Sequence, residues 1–184
     1  MRLVILDRDG VINEDSDDYI KTPEEWRPIP GSLEAIARLT HAGIQVVVAT
    51  NQSGIARGLF NVDMLGRIHN RMLDEVHHRG GEIEAIFFCP HGPGDGCTCR
   101  KPLPGLLHDI AARFKTSLNS TFAVGDSRRD LEAARAAQAL PVLVRTGKGL
   151  RTITEGRGLV GVPVYDDLAA FTDAVLSHGV GGGA

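Results

Sequence analysis

The chain has 184 residues, 42% of them hydrophobic and 23% charged, with a formal net charge of −3. That length buries a sizeable core in one ordinary domain, and the composition is that of a globular rather than a disordered chain. Interspersed charges of both signs exclude the basic stripe of a general nucleic-acid or anionic-membrane binder, and no apolar run approaches the roughly 18 residues of a spanning helix.

Taken in order, the pattern alternates between buried strands and amphipathic helices. Arg2-Leu3-Val4-Ile5-Leu6 is an uninterrupted apolar run that reads as a strand buried on both faces. It is too short for a signal-peptide core and is followed by acids, so a cytoplasmic location is the default expectation. A polar, acidic loop from Asn13 to Pro30 follows, carrying Asp15, Asp17, Asp18 and the lone Trp26. Leu33, Ile36, Ala37 and Thr40 recur at helical spacing, with Gly43 placed as a C-terminal cap. Ile44 to Ala49 is a second strand, running into Thr50-Asn51-Gln52-Ser53-Gly54. Asn61 caps a longer helix with Leu65, Ile68, Met72 and Val76 inward, stopped by Gly80-Gly81. His69, His77 and His78 are placed on or beside its polar side, as surface residues rather than ligands. Glu84 to Phe88 is a third strand, and a cysteine loop spans Cys89 to Arg100. Pro102 and Pro104 open a helix with Leu106, Ile110 and Phe114 on its apolar face. Thr121 to Gly125 is a fourth strand, and a short Ala-rich helix leads to a fifth, Pro141 to Arg145. Val162 to Tyr165 gives a sixth, and Leu168, Phe171 and Val175 a last helix. The alternation predicts an α/β fold with a doubly wound, mostly parallel sheet covered on both faces. Residues 1–178 are expected to form a single domain without a cap, and 179–184 a disordered tail.

The polar motifs fall at one end of that sheet. Asp7 and Asp9 follow the first strand, Thr50 and Asn51 the second, Arg100 and Lys101 the loop after the third, and Asp126 and Asp130 the fourth. All lie on the carboxyl side of parallel strands, where open α/β sheets bind ligands. Each alone has a plainer explanation as a cap, a turn or solvated charge; four such coincidences at one edge point to a site. Hard oxygen ligands select Mg²⁺, which keeps water and accepts phosphate oxygen. Thr50 and Asn51 can donate to a phosphoryl group and Lys101 supplies positive charge. One aspartate is then free to attack phosphorus and a second to move protons.

The cysteine loop presents Cys89, His91, Cys97 and Cys99, and these are all the cysteines of the chain. Three thiolates and an imidazole fit tetrahedral Zn²⁺ in a closed structural site. An odd, clustered set is a poor disulfide framework, and Cys-x-Cys is not the usual redox spacing. The loop's physical task would be to fix the backbone that delivers Arg100 and Lys101. Gly147-Lys148-Gly149 lacks the spacing of a phosphate loop and carries little weight.

Asp7-Arg8-Asp9-Gly10-Val11-Ile12-Asn13, Thr50-Asn51-Gln52-Ser53-Gly54, Arg100-Lys101-Pro102-x-Pro104-Gly105 and Gly125-Asp126-x-x-x-Asp130 resemble, in order, the four motifs of haloacid dehalogenase-type phosphatases. Within that superfamily the chain looks similar to D-glycero-D-manno-heptose 1,7-bisphosphate 7-phosphatases and the related histidinol-phosphate phosphatases. The resemblance implies that Asp7 is the nucleophile, forming an aspartyl-phosphate. It implies that Asp9 protonates the leaving alkoxide and then activates water. Mg²⁺ would be held by the Asp7 carboxylate, the Asp9 main-chain carbonyl and Asp126. Thr50, Asn51 and Lys101 would hold the phosphoryl group, with Gln52 and Ser53 beside them, and Asp130 would brace Asp126 or Lys101. A zinc loop is also a feature of the resembled family.

The intervals between motifs leave no room for a large cap, so the crevice is expected to be open. Specificity then falls to the acidic loop (Asp15, Asp17, Asp18) and the cysteine loop. A second phosphate needs a cationic anchor, with Arg100 first and Arg57 and Arg128 behind it. The chain departs from many of the resembled proteins in having Ser127-Arg128, not Lys, after Asp126, and in a loop after Asn13 that is one residue longer, with Asp17-Asp18 where others often have a single Gly. The expected function is a Mg²⁺-dependent sugar bisphosphate phosphatase in lipopolysaccharide or surface-heptose precursor synthesis. A histidinol-phosphate phosphatase is the alternative, and a catalytically idle, zinc-stabilised binding protein a third reading. Expected partners are a small phosphorylated substrate, with neither nucleic acid nor membrane, and the chain is expected to be a monomer.

Overall fold

A computed structural model describes residues 2–177; the tail expected to be disordered, and residue 178 with it, lies outside them. Strands β1 (Arg2–Leu6), β2 (Ile44–Asn51), β3 (Ala85–Cys89), β4 (Phe122–Gly125), β5 (Leu140–Val144) and β6 (Val164–Tyr165) form one six-stranded sheet. Its order is β3-β2-β1-β4-β5-β6 and every pairing is parallel. Apolar residues fill both faces because successive side chains point to opposite sides. In β1, Val4 and Leu6 enter one core with Val46 and Val48, while Leu3 and Ile5 enter the other with Val47 and Ala49.

Helices α1 (Ser32–His41), α2 (Val62–His78) and α6 (Leu168–Ser177) cover the first face through Leu33, Ile36, Leu39, Ile68, Met72 and Phe171. Helices α3 (Gly105–Phe114) and α4 (Arg128–Ala136) cover the second through Leu106, Leu107, Ile110 and the small Ala134. A further helix, α5 (Gly149–Glu155), and a 3-10 turn at Pro23–Glu25 are additions to the elements expected from the sequence. The loop after β1 has an inner side of its own: Ile20, Trp26 and Ile29 are buried, and Trp26 joins Val11 and Ile12 in the core. Among the described residues, no helix is long and apolar enough to cross a membrane.

The chain leaves β1 to build β2 and β3 on one side, then returns to build β4 to β6 on the other. The reversal opens a crevice outside the carboxyl ends of β1 and β4, the place where such sheets bind ligands. Asp7 sits at that point, its backbone N–H donating to Val124 of β4 at 2.9 Å.

Candidate active site

A crevice of about 300 Å³ at this edge is lined by Asp7 and Asp9 after β1, Thr50 and Asn51 at the end of β2, and Lys101, Asp126 and Asp130. Lys101 is the hub. Its ammonium donates to the Ala49 carbonyl at 2.8 Å and to Asp130 Oδ1 at 2.5 Å, and lies 3.1 Å from Asp7 Oδ1. Burial alone would push its proton off, but Asp130 and Asp7 outweigh that and hold the ammonium charged, above its ordinary range. Asn51 does something other than donate to a ligand. Its Nδ2 donates to the Lys101 carbonyl at 2.9 Å and its Oδ1 accepts from the Lys101 backbone N–H at 3.0 Å. That two-way bridge fixes the lysine backbone across the crevice. Asp130, expected to brace either Asp126 or Lys101, takes Lys101; its other oxygen accepts from the Ser127 backbone and hydroxyl, at 3.0 and 2.5 Å.

The carboxylate oxygens of Asp7, Asp126 and Asp130 lie within 4.8 Å of one another. With Asp130 already satisfied by Lys101, Asp7 and Asp126 are left as the pair to be compensated. Burial, with repulsion from Asp130 and Asp7, pushes Asp126 up to about 8, against the Lys148 backbone N–H that lowers it. Burial raises Asp7 to about 7 despite Lys101, with Asp130 and Asp9 adding to the rise. Two hard oxygen donors that resist ionising together fit a divalent cation such as Mg²⁺. The surroundings of Asp126 are shaped to leave it room. A Cβ on Gly10 or on Gly147, both at positive φ (83° and 57°), would collide with its carboxylate. The segment around Gly147, set aside as a phosphate loop, belongs to this wall. The Lys148 backbone N–H donates to Asp126 Oδ2 at 2.7 Å, and the Thr146 hydroxyl to the Gly10 carbonyl at 2.6 Å.

Asp9 is held by three other side chains. Arg8 donates from Nε to Oδ1 at 3.0 Å and from Nη2 to both oxygens at 2.8 and 2.9 Å. Asn13 donates to Oδ1 and Gln52 to Oδ2, each at 2.9 Å. Burial works to raise this carboxyl, but the Arg8 charge and these hydrogen bonds prevail and hold it below the usual range. Gln52 also donates to the Thr50 hydroxyl at 3.0 Å, tying the two motifs together. The reading of His69 as a surface residue is corrected: it is buried and faces Arg8, its Nε2 lying 3.3 Å from Nη1. His77 and His78 are exposed as expected.

Beside the crevice, Cys89, His91, Cys97 and Cys99 converge. Sγ of Cys89 is 3.7 Å from Cys97 Sγ, 3.2 Å from Cys99 Sγ and 3.5 Å from His91 Nδ1, and Cys99 Sγ is 3.4 Å from that nitrogen. Donors around a tetrahedral zinc ion stand about 3.5 to 3.8 Å apart, from metal–ligand lengths of roughly 2.0 to 2.3 Å. The donor set fits Zn²⁺, with separations of 3.2 to 3.7 Å that lie within or a little below that range. Without a cation, burial and the neighbouring thiols push Cys89 up to about 12.

Around the mouth, Asp15, Asp17, Ser53, Arg57, Arg100 and Arg129 line the crevice. Asp15 is paired with Lys148 at 2.7 Å. Arg57 lies over the Tyr19 ring at 5.8 Å, and Arg100 donates to the His91 carbonyl at 3.1 Å. Burial and the nearby Arg129 charge both lower the proton affinity of Arg100. Two expected residues are elsewhere. Arg128 points away and pairs with Glu132 at 2.7 Å, while Arg129, one residue on, faces the crevice. Asp18 is exposed and outside the lining, its carbonyl accepting from Lys21 at 2.8 Å. Lys148 and Arg129 are the charged lining residues that the sequence reading missed.

A family model described as HAD-hydrolase-like matches residues 98–171. A D-glycero-beta-D-manno-heptose-1,7-bisphosphate 7-phosphatase of Bordetella bronchiseptica is 54% identical over 178 residues, 97% of this chain and 99% of that protein. One of Pseudomonas aeruginosa is 57% identical over 175 residues, covering 95% and 97%. Among solved structures, D,D-heptose 1,7-bisphosphate phosphatase from B. bronchiseptica, complexed with magnesium and phosphate, superposes with a TM-score of 0.95 at 54% identity, covering 97% of this chain and 99% of that one. Similarity of that degree along nearly the whole of both chains, over a sheet whose carboxyl edge gathers these aspartates and this lysine, places the protein in the haloacid dehalogenase-type hydrolases, as a phosphatase.

Proposed function

We propose that this phosphatase removes the C7 phosphate of D-glycero-D-manno-heptose 1,7-bisphosphate, within the synthesis of lipopolysaccharide or surface-heptose precursors. The observation that carries the substrate is the charge layout of the crevice. Beyond the pole formed by Asp7, Lys101 and Asp126, its mouth presents Arg57, Arg100 and Arg129, while Asp15 is neutralised by Lys148. A substrate with a second phosphate finds guanidinium partners there. Histidinol phosphate would bring an ammonium group to the same guanidiniums. Relatives named for the heptose bisphosphate, at 54% and 57% identity, support the same choice.

In this reading an Asp7 carboxylate oxygen attacks phosphorus and the bond from phosphorus to the sugar C7 oxygen breaks. Asp9 gives its proton to the departing oxygen. Asp9 then takes a proton from water as that water attacks the aspartyl-phosphate, the bond from phosphorus to Asp7 breaks, and inorganic phosphate leaves. Braced as an anion, Asp9 suits the second half directly. For the first half, the approach of an anionic phosphate raises its proton affinity. Lys101 keeps positive charge beside Asp7 throughout, and Thr50 and Ser53 offer hydroxyl donors. The Asp7 and Asp126 carboxylates and the Asp9 main-chain carbonyl would hold Mg²⁺. When bound, that ion offsets the charge of the facing carboxylates and phosphoryl oxygens. Cys89, His91, Cys97 and Cys99 would hold a structural Zn²⁺ with no open position.

Turnover of heptose bisphosphate and of histidinol phosphate, each with Mg²⁺, tests the choice. The expected result is a preference in kcat/KM for the heptose of about 100-fold or more, since mismatched charge at a second anchor costs that much or more. Preference for histidinol phosphate overturns the substrate, and absence of hydrolysis of both overturns the reading as a whole.

A further inference from the structure

Behind the crevice lies a buried polar pair to which the steps above give no part. Arg8 is fully buried, and its guanidinium spends Nε and Nη2 on the Asp9 carboxylate. The remaining terminal nitrogen, Nη1, faces His69 Nε2 at 3.3 Å. A guanidinium has donors only, so His69 must accept at Nε2 and carry its proton on Nδ1. Burial first and the Arg8 charge second push His69 down to about 3, which keeps it an acceptor at any working pH. His69 is fixed in turn by helix α2, between the buried Leu65 and Met72, and by an edge contact with the Phe88 ring, 6.2 Å between centroids. A fully buried guanidinium nitrogen left unpaired is costly, so without His69 the arginine would shift toward other partners.

We propose that His69 is a positioning residue: through its contact with Arg8 it sets where the Asp9 carboxylate sits over the reacting phosphate. The chain of contacts runs from α2 through Arg8 to Asp9 and leaves Asn13 and Gln52 as the only other side chains that hold Asp9 among the described residues. Proton transfer at a departing oxygen fails when the carrier is misplaced by a fraction of its hydrogen-bond length. This rests on the reading of Asp9 as the proton carrier. Its signature is therefore sensitivity to the leaving group: a sugar alkoxide needs a proton as it departs, and a nitrophenolate does not.

The test compares kcat/KM for heptose bisphosphate and for p-nitrophenyl phosphate, in the full-length protein with Mg²⁺, across three variants. Asp9→Asn is the reference and should abolish the sugar reaction far more completely than the aryl one. His69→Leu, which removes the acceptor, should lower the sugar-to-aryl ratio by about tenfold, within the range ascribed to general acid catalysis. His69→Gln, whose amide oxygen reaches the same depth as Nε2, should restore most of that ratio. Equal losses on both esters in His69→Leu, or no recovery in His69→Gln, overturn the positioning role. If Asp9→Asn itself shows no leaving-group dependence, the fault lies with the reading of Asp9. Circular dichroism reports folding. Should His69→Leu not fold, His69→Asn replaces it, since its shorter side chain withdraws the acceptor from Arg8 and should show the same lowered ratio; an unchanged ratio there overturns the proposal.

Discussion

Lys101 and Asp130 form an ion pair at 2.5 Å with both side chains almost wholly out of water. Such a pair is worth little against an apolar replacement, but breaking it from one side leaves an uncompensated charge. Asp130→Asn should therefore cost about 3 kcal/mol in urea unfolding, the usual scale for one orphaned buried partner. A cost within error of zero would mean that Lys101 finds its charge balance elsewhere. At the mouth, Arg129→Ala should raise KM for the bisphosphate while barely changing it for the corresponding 7-monophosphate, and Arg128→Ala should change neither. The reverse order of effects would return the anchor to Arg128. That one-residue distinction could not be read from sequence. Successive helix residues turn by about 100°, so which arginine faces the crevice depends on where α4 begins. His69 is different, because the signal was there. It lies four residues after Leu65 and three before Met72, on the stripe of α2 that faces the core. Placing it on or beside the polar side of the helix, as the sequence analysis does, misses that stripe. An amide beside a strand end suits a ligand donor, and the sequence presents Asn51 as one; only the distance to Lys101 shows that its amide is committed to the backbone.

The strands were the most legible elements, since each is a short apolar run closed by a turn or a charged motif, and α1 to α3 followed from their apolar periodicity. Helix α5 carries no such stripe: Leu150 is exposed, and Ile153 is partly buried against the small cluster of Leu131, Leu143 and Val162. It is held by the Thr152 hydroxyl donating to the Asp126 carbonyl at 2.9 Å, a tertiary contact that leaves no trace in hydropathy. The cysteine loop was legible as a cluster of donors, and its position explains why it matters to the site. Gln52, at the end of β2, donates its backbone N–H to the Cys89 carbonyl at 2.7 Å, and Lys101 follows Cys99 by two residues. Structural zinc contributes folding free energy outright. Cys97→Ser, or chelation by a zinc-selective reagent, should lower Tm by several degrees, with KM worsening more than kcat as Arg100 and Lys101 loosen. Loss of kcat with Tm unchanged would instead give this metal a part in the chemistry.

Over the whole molecule, the parallel sheet pays for its site in stability. Asp7 and Asp126 bind protons more tightly when folded than when unfolded, because burial drives their carboxyls up to about 7 and about 8 from 3.8. Groups of that kind stabilise the metal-free fold fully below about pH 4 and lose the contribution as pH rises through their folded values. Asp130 and Asp9, both held low, work in the opposite sense and contribute stability that is lost as pH falls. A divalent cation held by Asp7 and Asp126 would take the place of the protons on those two carboxyls. The rise in Tm on adding Mg²⁺ should therefore be larger at about pH 8 than at about pH 5.5, read by differential scanning calorimetry. An equal or larger rise at the lower pH would contradict a cation shared by Asp7 and Asp126. The global topology was legible because alternating strands and helices leave few ways to build a parallel sheet; the closeness of Asp126 to Gly10 and Gly147 was not, since it depends on backbone shape at two glycines.

In the proposed mechanism Asp7, and no other side chain, takes the phosphate. Rapid quenching during turnover with Mg²⁺, followed by borohydride reduction and peptide mass spectrometry, tests it most directly, because an acyl phosphate is reduced where a free carboxylate is not. Homoserine at position 7, absent from the Asp7→Asn protein and from protein without substrate, is the expected result. Phosphate released at the full rate with position 7 unlabelled, or with the label on Asp9 or Asp126, would contradict it.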